Sequence, residues 1–217
     1  MKTTVEALCV GQPKPFRDGE LSAFAKDPVD GPVRITREGL SGDAQADRKH
    51  HGGEHMALHL YPLDHHAFWH EALSGHELLD LHGAFGSNVS ARDIDEGSVW
   101  LGDRFRLGRA LIEISQPRMP CWKIEHRFGV PGMVKTILRT GRSGWYFRVI
   151  EEGTAQAGDA LERIETGRTP WTISEIFSEI ANPAAPSTRE RLSEMALCEL
   201  LSPSWRGAAE RALSNLR

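Results

Sequence analysis

Positive charge and glycine are concentrated in one segment of the sequence, residues 39–53. Glycines at both ends of this segment let the backbone turn sharply and approach a ligand closely. Consecutive residues between them offer cationic groups or hydrogen-bond donors: Arg48, Lys49, His50 and His51. Such groups beside exposed amides suit a site for a phosphate or another anion. A polar surface loop with turn glycines has the same composition, so the residues alone leave both interpretations open.

A second reactive group is Cys121, which follows a predicted strand and the sequence Pro-Arg-Met-Pro. Arg118 and Lys123 flank it, and nearby positive charge favours the thiolate form of a cysteine. A thiolate is both a nucleophile and a soft metal ligand. Cys9 and Cys198 instead lie in apolar patterns typical of packed core residues. The three cysteines are far apart and lack a Cys-x-x-Cys spacing, which argues against a disulfide framework and a structural zinc cluster.

Histidines recur every four residues from His51 to His59 and again at His66 and His70. On a helix this spacing could hold zinc. Two glycines interrupt the first series, however, and residues 56–61 alternate like a strand. No glutamate follows His66 as the zinc-protease pattern requires. Surface or packing histidines are therefore the favoured interpretation, with a zinc hydrolase as a third hypothesis.

The elements that position these groups change character near residue 166. Before it, short alternating segments are separated by Gly-rich turns, a pattern typical of an all-β barrel or sandwich. The predicted strands cover residues 3–10, 33–35, 57–61, 98–100, 105–107, 111–115 and 145–150. One helix is predicted among them, over residues 62–74 with Asp64 as its N-cap.

After residue 167 the pattern is helical three times over. Each helix is preceded by an N-cap sequence: Thr172 with Glu175, Ser187 with Glu190, and Ser202 before Pro203. Three short helices bury little surface alone, so we expect them to pack on one another or on the barrel. We therefore divide the chain into a barrel domain, residues 1–166, and a three-helix domain, residues 167–217.

Composition limits the classes of function. The 217 residues carry a net charge of -4 and are 40% hydrophobic, which is typical of a globular protein. There is no chain-wide basic field to attract nucleic acid or an anionic membrane. No stretch approaches the roughly 18 apolar residues of a membrane span. We expect a cytoplasmic protein with no nucleic-acid or membrane partner, in which any anion site is local.

Taken in order, the motifs of the chain resemble those of MOSC-domain proteins, and most closely the YiiM branch of that family. They are Gly-Leu-Ser-Gly-Asp at 39–43, Gln-Ala-Asp-Arg at 45–48, His-His-Gly-Gly at 50–53, Gly-Ser-Asn at 86–88, Gln-Pro-Arg-Met-Pro-Cys at 116–121 and Ser-Gly-Trp-Tyr at 143–146. The resemblance implies a mainly β fold, a MOSC-type β-barrel followed by a small three-helix domain. It also implies binding of the molybdenum cofactor and reduction of N-hydroxylated substrates, such as hydroxylaminopurines and other hydroxylamines, to amines.

The resemblance also implies roles for individual residues. The cysteine that matches Cys121 holds the metal and is catalytic. The predicted cofactor-binding residues are Arg48, His50, His51, Gly52, Gly53, Asn88, Arg118 and Lys123. Ser87 stands where the family usually has glutamate, which removes a carboxylate that could handle substrate or order the loop. The proton donor is left open among Asp43, Asp47 and His50.

Electrons must come from a separate reductase, because the sequence has no cysteine set for an iron–sulfur cluster and no dinucleotide fingerprint. The three C-terminal helices could dock that partner, form a homodimer contact, or simply pack on the barrel. A second functional hypothesis is a sulfur carrier that holds a persulfide on Cys121 and delivers sulfur to metal clusters or cofactors.

Overall fold

Short strands fill the chain up to residue 165 in the computed structural model, which describes residues 1–44, 52–182 and 184–216. They are β1 Lys2–Val10, β2 Lys14–Arg17, β3 Glu20–Ser22, β4 Asp27–Pro28, β5 Val33–Thr36, β6 Gly39–Leu40, β7 Leu58–Pro62, β8 Val89–Ala91, β9 Arg104–Leu107, β10 Ala110–Pro117, β11 Trp145–Glu151, β12 Gly153–Ala155 and β13 Ala160–Glu165. The predicted mainly β fold class is confirmed.

The described residues also form α-helices, which are α1 His65–Ala72, α2 Lys123–Phe128, α3 Met133–Thr140, α4 Ile173–Ala181, α5 Arg189–Leu197 and α6 Pro203–Asn215. Short 3-10 helices cover Glu54–Met56 and Glu77–Asp80. Across the described ranges, no helix has the length and apolar character needed to cross a membrane. The sequence analysis predicted α1 and the three C-terminal helices but not α2 and α3, which are short and follow the Cys121 motif.

A closed barrel of seven described strands forms in the order β13, β9, β10, β11, β7, β8 and β1. Antiparallel pairing of β1 with β13, with Lys2 opposite Glu162, joins the two ends of the sheet. Closure leaves neither strand as an open edge that another chain could extend. Strands β7 and β8 run parallel, with Leu60 opposite Val89. A parallel pair needs a long crossover, and the segment between them carries α1.

Strand β10 shows how the barrel is buried on both faces. Ile112 and Ile114 point into the barrel core, whereas Glu113 and Ser115 face outward and are buried as well. Glu113 accepts hydrogen bonds from Arg104 and Arg148, at 2.7 and 2.8 Å, and also from Arg168. A buried carboxylate is tolerated because these guanidiniums compensate its charge.

The starts of helices α4 and α6 pack against the barrel. Ile173 N–H donates to the Val99 carbonyl at 3.0 Å, and Ser202 N–H donates to the Ser115 carbonyl at 3.2 Å. Ile173 itself belongs to the barrel core cluster. Packing on the barrel is thus observed, while the domain division at residue 166 stays a prediction.

Three local predictions need correction or refinement. Residues 98–100 do not form a strand, and Trp100 makes only an isolated bridge to Thr172. The N-cap of α5 is Thr188 and not Ser187, since the Thr188 hydroxyl accepts from Arg191 N–H. Asp64 is the N-cap of α1 but makes no side-chain capping bond.

Candidate active site

A cavity lies where β10 ends and β11 begins, and we call it the barrel-mouth cavity. It encloses about 680 Å³, part of which is open to solvent. Its described lining consists of Ser22, Ala23, Phe24, Lys26, Asp43, Ala44, Gly52, Met56, His59, Gly86, Asn88, Arg118, Met119, Cys121, Lys123 and Tyr146. Residues that are far apart in sequence therefore meet at one site.

Most of the described residues predicted for the site line this cavity. They are Gly52, Asn88, Arg118, Cys121 and Lys123. Gly53 lines a second cleft that adjoins the cavity. Arg48, His50 and His51, together with the proton-donor candidate Asp47, lie outside the described residues. Ser87 is buried between the lining residues Gly86 and Asn88. The functional assignments stay predictions.

Cys121 lines the barrel-mouth cavity. It follows the end of β10, and its carbonyl accepts a hydrogen bond of 3.1 Å from Ile124 N–H in the first turn of α2. Its side chain is half-buried, so the sulfur is reachable without being fully solvated. Cys9 is fully buried, and burial raises the pKa of its thiol to about 12. Cys9 is therefore the packed core residue that the sequence predicts, whereas Cys198 is half-buried like Cys121, and the role of Cys121 stays a prediction.

Arg118 places an uncompensated guanidinium in the cavity. Its side chain is 3% exposed, and its Nη1 has no hydrogen-bond partner among the described residues. No described carboxylate pairs with it. Because an unpaired buried charge is costly, this group fits an anionic ligand. The backbone of Arg118 is held firmly, since its N–H donates to the Gly144 carbonyl at 3.0 Å and its carbonyl accepts from the Ser143 hydroxyl.

A buried ion pair between Lys26 and Asp43 forms another wall of the cavity. Asp43 also accepts hydrogen bonds from Gly11 N–H at 2.7 Å and from Asn88 Nδ2 at 2.8 Å. Burial lowers the pKa of Lys26, and the carboxylate of Asp43 opposes that shift. Both oxygens of Asp43 are engaged, which favours a positioning role over proton donation. The sequence offered no signal for Lys26, because it lies outside every motif.

Asn88, just before β8, uses its side chain to join β1, β7 and Asp43 in the segment after β6. Its Nδ2 donates to the Cys9 carbonyl at 3.1 Å as well as to Asp43, and its Oδ1 accepts from His59 N–H at 3.1 Å. The amide oxygen and nitrogen of Asn88 therefore already have hydrogen-bond partners within the protein. The geometry therefore assigns Asn88 to building the cavity wall, and direct contact with a cofactor stays a prediction.

His59 is a neutral aromatic group in the cavity. It is buried, and burial, aided by the nearby charge of Arg118, lowers its pKa to about 3. Its ring lies 5.0 Å from that of Tyr146, and its Nε2 is 3.3 Å from the Ser143 carbonyl oxygen. The strand that contains it, β7, places it in the lining, which the periodicity of the histidines alone did not indicate.

The other histidines do not form a metal site within the ranges that the structure describes. His66 Nδ1 lies 2.7 Å from the Leu79 carbonyl, and His70 lies 3.6 Å from Asp80. Among the described residues, no group of three or more His, Cys, Asp or Glu side chains could hold a metal ion. The zinc hypothesis therefore gains no support from His66 and His70.

Glu96 organises the loop behind Arg118 and was missed by the sequence analysis. Its buried Oε1 accepts hydrogen bonds from Ser143 N–H at 3.0 Å and from Gly144 N–H at 2.6 Å. Its Oε2 lies 2.8 Å from His65 Nε2. Gly144 has a positive φ of 71°, and a Cβ there would meet the Leu60 carbonyl oxygen at 2.1 Å. A glycine is therefore required at this position.

Comparisons with known proteins agree with this architecture. A family model described as MOSC domain matches residues 47–162. Protein YiiM of Escherichia coli (strain K12) is 39% identical over 208 residues, which cover 94% of this chain and 90% of that protein. YflK of Bacillus subtilis (strain 168) is 36% identical over 208 residues, covering 94% and 92%. A Gibberella moniliformis protein named reductase is 37% identical over 161 residues, covering 73% of this chain and 28% of that protein.

Solved structures show the same fold over the whole chain. The crystal structure of YiiM from Geobacillus stearothermophilus superposes with a TM-score of 0.80 and 30% identity, covering 97% of this chain and 99% of that one. The crystal structure of Escherichia coli YiiM gives a TM-score of 0.79 and 29% identity, covering 99% and 94%.

Proposed function

This chain belongs to the MOSC-domain family, and on that premise we propose that it is a molybdenum-cofactor-dependent reductase of N-hydroxylated compounds. Its substrates are hydroxylaminopurine-type bases and related hydroxylamines. The reaction consumes two electrons and two protons, breaks the N–O bond, and yields an amine and water. The observation that carries the proposal is that one cavity contains both a half-buried thiol, Cys121, and the buried guanidinium of Arg118, with which no described carboxylate pairs.

The cavity fits the cofactor chemically. A thiolate is a soft ligand suited to molybdenum, and a buried guanidinium suits an anionic phosphate. We assign Cys121 as the metal ligand, and Arg118 and Lys123 as the cationic groups that bind the anionic part. The amides of Gly52 and Gly53 assist them, and Arg48, His50 and His51 are assigned from the sequence. When bound, the cofactor would supply a redox-active metal centre for the two-electron reduction.

The residues of the chain bind the anionic part of the cofactor and set the charge of the cavity. Arg118 neutralises the bound anion in a region of low solvent access, where a charge–charge contact is strong. The low pKa of His59 keeps its imidazole neutral, so that this wall adds no further positive charge. A separate reductase supplies the electrons. The relative named reductase supports the oxidoreductase class.

Metal and pterin analysis tests the proposal. The protein is produced in a host that makes molybdenum cofactor, and molybdenum and pterin are measured together with the reduction of 6-hydroxylaminopurine by a chemical electron donor. We expect about one molybdenum and one pterin per chain. Cys121→Ala should abolish reduction and metal retention, whereas Cys9→Ala and Cys198→Ala should retain both.

Absence of molybdenum and pterin from the wild-type protein, with a persulfide on Cys121, overturns the reductase and favours the sulfur carrier. Equal loss of reduction in all three cysteine variants contradicts a special role for Cys121. Mass spectrometry of the intact protein detects the persulfide, because one added sulfur changes the mass by about 32 Da.

A further inference from the structure

A second cleft adjoins the barrel-mouth cavity between the barrel and helix α6, and we call it the α6 cleft. It encloses about 1310 Å³, part of which is open to solvent. Its barrel side includes Gln116 and Pro120, and its helical side runs from Ser202 to Arg211. Cys121 lines both the cavity and this cleft. The thiol therefore stands at the boundary between two spaces.

The two spaces differ in chemistry. The cavity brings together the cationic groups of Arg118 and Lys123 with the ion pair of Lys26 and Asp43. The lining of the α6 cleft is mostly apolar, with Met119, Pro120, Pro203 and Ala208, and it also includes Glu54, His55 and Arg211. An anionic cofactor fits the first space, and an uncharged flat ring fits the second.

One buried polar group in the α6 cleft lacks a partner. Gln116 is 3% exposed, and its Oε1 has no hydrogen-bond partner among the described residues. Its Nε2 makes one long contact of 3.4 Å with the Pro117 carbonyl. A buried acceptor without a donor costs about 1–3 kcal/mol, so a ligand that donates a hydrogen bond there gains affinity. Gln116 lies at the end of β10, five residues before Cys121.

We infer that the α6 cleft is the substrate site, and that Gln116 Oε1 accepts a hydrogen bond from the substrate. The inference rests on the proposed function. The ligand of the cleft is the hydroxylaminopurine-type base of the proposed function, a flat, uncharged ring whose N–H lies beside the N–O bond that breaks. The apolar surfaces cover its ring, and Gln116 turns the N–O bond towards the Cys121 side of the cleft. The C-terminal helices thereby form part of the active site.

Two variants test the inference independently. Gln116→Leu removes the acceptor at similar volume, and Ala208→Trp fills the cleft from the α6 side. In holoenzyme, each should raise KM for 6-hydroxylaminopurine about tenfold or more while leaving molybdenum and pterin content unchanged. Gln156→Leu and Glu210→Trp are the matched controls, since both residues are exposed and neither lines the cleft. Each variant is checked for folding by its Tm.

Equilibrium binding separates this inference from the proposed function. Calorimetry on cofactor-free protein measures the affinity for adenine, the amine product, which requires neither metal nor turnover. We expect Gln116→Leu and Ala208→Trp to weaken binding about tenfold. If the wild type holds no molybdenum and reduces nothing, the proposed function fails. Adenine binding then tests by itself whether the α6 cleft binds the ring of the substrate. The inference is overturned if adenine does not bind the wild type, if its affinity is unchanged in both variants, or if KM is unchanged in both variants as active holoenzyme.

Discussion

A hydrogen bond of 2.6 Å joins the carboxylate of Glu96 to the backbone N–H of Gly144. The Gly144 carbonyl in turn accepts the N–H of Arg118 at 3.0 Å. One buried acid outside the cavity lining therefore fixes the loop that holds the guanidinium inside it. The positive φ of Gly144 and the nearby Leu60 carbonyl leave this loop little freedom to adjust.

Glu96→Ala should lower the free energy of unfolding by about 3 kcal/mol, because two buried N–H groups lose their acceptor. Urea denaturation measures this change. Glu162→Ala is the control, since its carboxylate pairs with Lys2 and has a side chain that is 49% exposed. That variant should change stability by less than about 1 kcal/mol. Equal effects of the two substitutions would contradict the role of Glu96.

Because of His59, the free energy of unfolding should decrease as the pH is lowered from about 6.5 towards about 3. Its pKa in the folded protein is about 3, whereas an exposed histidine titrates near 6.5. Between these values the unfolded chain binds a proton that folded His59 does not, so lowering the pH favours unfolding. From pH 7 to pH 5 this costs about 2 kcal/mol.

Urea denaturation of the wild type and of His59→Gln at the two pH values isolates this contribution. The variant should lose about 2 kcal/mol less than the wild type between pH 7 and pH 5, because glutamine does not titrate. An identical pH dependence in the two proteins would show that His59 is not the neutral buried group that the structure describes.

The sequence was informative where local rules decide the structure. Thr172 and Glu175 form the capping box that their spacing predicts, because both groups come from one helical turn. The strands with clean alternation were also found. Residues 98–100 alternate too, yet they form no strand, because the only bridge that the described residues make there joins Trp100 to Thr172 in the C-terminal part.

The site was predictable only in part for a related reason. Cys121 and Arg118 share one motif, so their chemistry can be read from neighbouring residues. Lys26 and Glu96 act through partners that are distant in sequence, namely Asp43 and Gly144. Nothing local to either residue marks such a contact. Closure of the barrel brings these residues together, and one sequence without its fold does not show which pairs meet.

Cys9 should resist alkylation in the native protein, in contrast to Cys121. With a pKa of about 12, about one Cys9 thiol in ten thousand is ionised at pH 8, and the side chain is fully buried. Cys121 is half-buried and lines two open spaces. Iodoacetamide treatment followed by peptide mass spectrometry should find Cys121 modified, and Cys9 modified only after unfolding in urea. Labelling of both at the same rate in native protein would contradict this arrangement.

Arg118→Met should separate cofactor binding from folding. The substitution removes a buried charge that no described carboxylate compensates, so the free energy of unfolding of cofactor-free protein should stay unchanged or rise by about 1 kcal/mol. Pterin and molybdenum content after expression should fall at least about tenfold, because the anionic group loses its buried cation. Arg142→Met is the control, since its guanidinium lies 4.4 Å from the Phe68 ring and does not line the described cavity. Full cofactor content in Arg118→Met would mean that the buried guanidinium serves another anion, and a loss of stability as large as that of Glu96→Ala would mean that it serves the fold.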